Sequence, residues 1–131
     1  MQILAALFID EIDVRQVEGP ATRIDLKGIQ FSAAAPTPLP LTWAPHLVVI
    51  IHAPDDSSGN DVLEVVYRRD GEQIARNVQV LQIEPGKFSY QLVRGEIDFD
   101  NYGSVVAECR IGPDGPITSV PYTLMPPADD A

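Results

Sequence analysis

Along most of this chain apolar residues recur at every second position or in short runs, and clusters of glycine, proline and aspartate separate the runs. A side-chain period of two belongs to strands, which send successive residues to opposite faces of a sheet. Helical spacing is hard to find. The pattern predicts strands at Gln2 to Ile9, Thr22 to Phe31, Leu47 to Ala53, Val62 to Arg69, Gln73 to Ile83, Lys87 to Val93, Ser104 to Ile111 and Ile117 to Leu124. The expected fold is all-β: a single-domain antiparallel β-sandwich, immunoglobulin-like, with about eight strands.

Two connections carry their own mechanism. Asp70-Gly71 in "VVYRRDGEQIA" supplies residues that tolerate positive φ in a tight hairpin, and Gly112 to Pro116 in "CRIGPDGPITS" repeats the signal with stiffer flanks. Residues 32–45, "SAAAPTPLPLTWAP", hold four prolines and should run extended from one sheet to the other. The sandwich domain is expected over residues 1–125, with a frayed acidic tail at 126–131.

The strand faces can be sorted in the same way. Phe88, Tyr90 and Leu92 read as the dry side of a strand whose wet side is Lys87, Ser89 and Gln91. Val105, Ala107, Cys109 and Ile111 alternate with Ser104, Glu108 and Arg110. Leu47 to Ile51 is apolar on both sides, so one face should meet the core and the other a covering element or partner, with Val49 and Ile51 as contact residues.

Charge narrows the choice of partners. Acidic residues outnumber basic ones 19 to 9, a formal charge of -10 that repels phosphate backbones and anionic lipid headgroups, so neither nucleic acid nor membrane is expected. The opening "MQILAALFIDEID" has no basic start and too short an apolar stretch for a secretory signal, and no later run could span a bilayer. One cysteine excludes an internal disulfide framework. A cytoplasmic location is the expectation.

Candidate chemistry is sparse. His46 and His52 sit six residues apart on one strand, roughly 20 Å from end to end, too far to share a metal ion. Cys109 falls on an apolar face, and Arg110 beside it points the other way, so a reactive thiol is not expected. "SSGN" and "YGSV" lack the pattern of a strained serine nucleophile. Asp55, Asp56 and Asp61 in "APDDSSGND", with Glu96, Asp98 and Asp100 in "GEIDFDNYG", offer hard oxygen ligands for calcium or another small ligand at one end of the sandwich. Neither group has EF-hand spacing, and solvated loop acids are the simpler reading. Few aromatic residues are available to line a sugar-cleaving cleft. No catalytic residue and no cofactor is expected.

Trp43, in the proline-rich segment, either plugs an open end of the sandwich or anchors a partner together with Pro38 and Pro40. The four prolines never fall three apart, so the segment is not a P-x-x-P ligand.

In order along the chain, "ALFID", "IDLKGIQF" leading to "PTPLP", "LVVII", "RRDGEQIA" and "VVAECRIGPDGPITSVPYTL" resemble a family of small stand-alone bacterial proteins of unknown function, about this length and thought to be β-sandwiches. The likeness spans nearly the whole chain. Such proteins often carry Cys-Asp where this one has Ile9-Asp10, and glycine shortly before tyrosine where it has Tyr102-Gly103. The resemblance implies a domain with no assigned catalytic residues. The expected function is non-enzymatic: binding a protein partner or copies of itself.

Overall fold

The computed structural model describes residues 1–19 and 21–128. Its fold is all-β, with twelve strands: β1 (Gln2–Ile9), β2 (Glu11–Gln16), β3 (Thr22–Lys27), β4 (Ser32–Ala34), β5 (Leu41–Trp43), β6 (His46–His52), β7 (Asn60–Arg69), β8 (Glu72–Gln82), β9 (Phe88–Arg94), β10 (Ile97–Phe99), β11 (Gly103–Ile111) and β12 (Thr118–Met125). Among the described residues no helix is long and apolar enough to cross a membrane. Residues 129–131 of the expected tail lie outside the described residues.

One sheet has the order β1-β6-β9 and another β4-β12-β11-β7-β8, while β5 with β10 and β2 with β3 form two-stranded pairs. The two larger sheets close one core. Phe8, Leu47, Val49, Ile51 and Val93 meet Leu63, Val65, Tyr67, Val105, Ala107, Cys109, Tyr122 and Leu124, all fully buried. Phe8 and Tyr122 join the sheets edge to face, with ring centroids 4.8 Å apart.

Twelve strands replace the eight expected. All eight predicted segments overlap an observed strand, but the second ends at Lys27, and β2, β4, β5 and β10 are additional. Three of these have only three residues, too few to show a period. The sheets are also not purely antiparallel, because β4 runs parallel to β12. The chain reaches β4 from across the molecule instead of through a hairpin, so nothing reverses its direction. Gln30 first bonds β1 through Phe8, and Phe31 then bonds Thr123 of β12. The proline-rich segment thus begins at the edge of one sheet and ends by entering the centre of the other.

The Asp70-Gly71 hairpin forms as its sequence predicts, with φ of 52° and 82°. It joins β7 to β8. Just beyond β9, Gly95 is buried against the Tyr67 ring, and an added Cβ would overlap that ring at Cε2 and Cζ. Gly95→Ala should therefore lower stability by ~1–3 kcal/mol through overpacking, measured as a reduced urea midpoint with unchanged slope. A midpoint equal to wild type would mean that the ring relaxes freely.

Candidate interaction face

The middle strand of the three-stranded sheet, β6, pairs with β1 on one side and β9 on the other. Leu47, Val49 and Ile51 point inward and are fully buried. Val49 and Ile51, expected as partner contacts, are core residues instead. Strand alternation assigns the opposite side to His46, Val48, Ile50 and His52.

The expected faces of β9 are likewise exchanged. Val93, aligned with buried Leu47, lies on the inner side with Ser89 and Gln91, whereas Phe88 and Leu92 are 56% and 44% exposed and Tyr90 is half-buried. Apart from Val93, the apolar residues of this edge strand point outward. Polar side chains tolerate the inner position because it is only partly enclosed: Ser89 and Gln91 are half-buried, as are Asn77 and Gln79 on the core side of β8. Gln79 closes that margin by donating from Nε2 to the Leu92 carbonyl at 3.1 Å.

On the outer side of the sheet, Leu7 is half-buried, Leu4 at the β1 irregularity is 55% exposed, and Ile50, Phe88, Tyr90 and Leu92 continue the apolar surface. Val48 in the middle of this side is fully buried, and Ile9 opposite His46 is 2% exposed. No residue of β1, β6 or β9 is acidic, although the chain carries 19 acids. His46, His52 and Arg94 supply its polar corners.

The outer side of the five-stranded sheet is different. There Glu64 accepts bonds from Arg76 at 2.8 Å and Arg110 at 3.1 Å, and Arg68 bonds Glu108 at 2.6 Å. Arg76 chiefly holds the Glu64 carboxyl below its ordinary range; partial burial opposes this and Arg110 adds to it. A ladder of paired charges of this kind is comfortable in water.

At one end of the acid-free face a cleft of about 190 Å3 is lined by Ile9, Asp10, Gln30, Trp43, Pro45, His46 and Tyr122, among others. Trp43 Nε1 donates to the Tyr122 hydroxyl at 3.0 Å, that hydroxyl reaches Gln30 Oε1 at 3.5 Å, and Gln30 Nε2 donates to Asp10 Oδ1 at 2.7 Å. Gly28, at φ 66°, leaves the space that the Asp10 carboxylate fills. Burial raises the Tyr122 hydroxyl above its ordinary range, the Trp43 bond works against this, and the Asp10 charge adds to it. Trp43 is half-buried and bonded inward, while Pro38 and Pro40 are exposed.

His46 and Asp10 therefore share a cleft, but the thiol does not join them. Cys109 is sealed in the core, where burial pushes it up to about 12. Its neighbour Tyr67 is raised by burial first and by proximity to Cys109 second.

The six candidate acids do not converge. Asp55 and Asp56 follow His52, which pairs with Phe88 at one end of β6, whereas Glu96 follows Arg94, which pairs with His46 at the other. Asp61 belongs to the first end, beside Gly112, and Asp98 and Asp100 to the second, beside Thr42. The expectation of all six at one end is overturned because the first loop follows β6 and the second follows β9, which runs antiparallel to it, so the two lie at opposite ends of the sheet. Asp98 already accepts the Thr42 hydroxyl at 2.7 Å, and Asp61 caps the Val62 amide at 2.8 Å. Among the described residues no three His, Cys, Asp or Glu side chains are grouped to hold a metal ion.

Comparison with protein-family models, with curated proteins and with solved structures gives no match to this chain.

The buried thiol gives a direct check of this packing. At pH 8 Cys109 should react with an aromatic disulfide reagent at least roughly a hundredfold more slowly in the native protein than in denaturant, because the thiolate is the nucleophile. Equal rates would show that the core opens readily at β11.

Proposed function

We propose that this chain is a non-enzymatic protein-interaction module, an immunoglobulin-like β-sandwich that docks a protein on the outer face of the β1-β6-β9 sheet. The strand order supports the fold reading. Taking β1, β6 and β9 as strands A, B and E of an immunoglobulin-like domain makes β12, β11, β7 and β8 strands G, F, C and C′, with β4 as a sheet-switching continuation of A.

The observation that carries the functional reading is the acid-free apolar face. The chain carries 19 acids and a charge of -10, yet this sheet presents Leu4, Ile50, Phe88 and Leu92 outward and has no acid. Such a contiguous apolar surface with a polar rim is the physical signature of a protein contact. Phe88 and Tyr90 are the aromatic anchors that bury large area at little entropic cost. The resemblance to small bacterial β-sandwiches without assigned catalytic residues agrees with this reading.

A photo-crosslinking side chain placed at Leu92 should yield protein adducts, self or foreign, under native conditions, while the same group at Pro121 on the outer side of the five-stranded sheet should not. Adducts at equal yield from both positions, or from Pro121 alone, would contradict the assignment.

A further inference from the structure

Asp10 is held in place but its charge is not met. Its amide donates to the carbonyls of Lys27 at 3.0 Å and Gly28 at 3.2 Å, Gln30 Nε2 donates to its Oδ1 at 2.7 Å, and the Gln30 amide is tied to Phe8 of β1 at 2.9 Å. Gly28 completes the fixing, since a Cβ there would take the place of the carboxylate. The acids of the adjoining hairpin are treated differently. Glu11 and Asp13 pair with Lys27 at 3.2 and 3.0 Å and Asp25 with Arg15 at 2.6 Å, whereas among the described residues no cation lies within ion-pair distance of Asp10.

The cleft that this carboxylate lines has used up most of its donors. Trp43 Nε1 donates to the Tyr122 hydroxyl at 3.0 Å, that hydroxyl turns its own proton toward Gln30 Oε1 at 3.5 Å, and Gln30 gives an amide proton to Asp10. An indole and a phenol have one proton each to give, while a phenolic oxygen, an amide carbonyl and a carboxylate all keep lone pairs in reserve. The second amide proton of Gln30 is the one donor these four side chains retain. Against it stand free acceptor sites on Tyr122, Gln30 and Asp10, the last with a full negative charge. His46 can donate or accept and so selects neither.

The rest of the lining is apolar. Ile9 and Pro45 are buried and Trp43 is half-buried. The volume of about 190 Å3 is below the roughly 300–1,000 Å3 of sites that enclose a whole ligand, so the cleft suits the end of a chain.

We propose that the Asp10 cleft binds a primary alkylammonium group, the end of a lysine side chain or a free amine, with its N–H donors on Asp10, Gln30 and Tyr122 oxygens and its methylenes against Trp43 and Pro45. An ammonium group has three donors and no acceptor, which matches what the cleft leaves open. An anion would meet Asp10 as a like charge. A guanidinium asks for two carboxylate oxygens side by side, and Oδ1 is already engaged by Gln30. A metal ion would need more ligands, and among the described residues no three His, Cys, Asp or Glu are grouped to hold one. The indole of Trp43 adds attraction for a cation, and the net charge of -10 draws cations toward the chain. This inference does not rest on the docking-face reading.

Trp43 is the single tryptophan of the chain, so its indole proton is an unambiguous NMR reporter inside the cleft. Titrating the full chain with n-butylammonium chloride at constant ionic strength should move that resonance saturably, with half-saturation at ~10 mM or below, and sodium butyrate should not move it. Asp10→Asn keeps an oxygen for Gln30 while removing the charge, and should raise the half-saturation concentration roughly tenfold or more. Asp13→Asn, a neighbouring acid already paired with Lys27, should leave it within roughly twofold. A native position of the Trp43 resonance before titration certifies that each variant is folded. An N-acetylated peptide with one lysine distinguishes the two sources of the group. Binding tighter than butylammonium by roughly tenfold or more assigns the cleft to a protein lysine, and a smaller gain assigns it to free amines; both outcomes keep the ammonium site. A resonance that fails to saturate by ~50 mM butylammonium, an equal response to butyrate, or an unchanged affinity in Asp10→Asn overturns the proposal. None of these results bears on adducts at Leu92, so the cleft and the docking face stand or fall separately.

Discussion

Because a strand sends neighbouring side chains to opposite faces, five consecutive apolar residues in the middle strand of a sheet create two dry surfaces at once. Leu47 to Ile51 is such a run, and only one of its surfaces lies in the core. The rest of the molecule is arranged around that imbalance. The inner surface meets the five-stranded sheet through Phe8, Tyr67 and Tyr122, and the outer one has no acid, with Val48 fully buried, Ile50 half-buried and Leu4, Phe88 and Leu92 exposed around them. Burial of apolar area is the dominant favourable term in folding and in association alike, so the exposed Leu4, Phe88 and Leu92 are a source of binding energy.

The two sheets resolve their outer surfaces differently. The five-stranded sheet is interrupted by arginine–glutamate pairs centred on Glu64 and Glu108, which keep Val66 beneath them nearly dry while presenting charge to water. Partly exposed pairs like these add little stability, but they make edge-to-face association unattractive. The three-stranded sheet has no such pairs. Exposed apolar side chains occur on both sheets, since Val78 and Val80 of β8 are 46% and 78% exposed, so the proposed contact rests on the absence of acids from the three-stranded sheet.

Much of the fold was legible in the sequence because alternation, Asp70-Gly71 and the glycine–proline cluster at 112–116 are local signals. β2 was missed although Ile12 and Val14 alternate with Glu11, Asp13 and Arg15; its acids read as the end of β1, and its partner β3 was assigned without it. β4, β5 and β10 are held by distant pairings, to β12 and to each other, that no short window contains. The face of β9 was misassigned for an energetic reason. Sequence patterning equates apolar with buried, and that equation fails where the outer side of a sheet is itself apolar and the inner side of an edge strand is only half enclosed. The same failure put Val49 and Ile51 on the surface, when Val48 and Ile50 are the outward pair. The even spacing of Glu96, Asp98 and Asp100 did place them on one exposed side, but their distance from Asp55, Asp56 and Asp61 depends on which end each loop leaves.

The central claim is that the outer plane of β1-β6-β9 is covered when the protein is at work. Methyl NMR with a neutral paramagnetic probe in solution reads this residue by residue. The account predicts that the Leu4 and Leu92 methyls, 55% and 44% exposed in the isolated chain, are shielded at high protein concentration, while Val80 at 78% on the other sheet is strongly broadened. Broadening of all three in proportion to those exposures, at every concentration and with native lysate added, would contradict it.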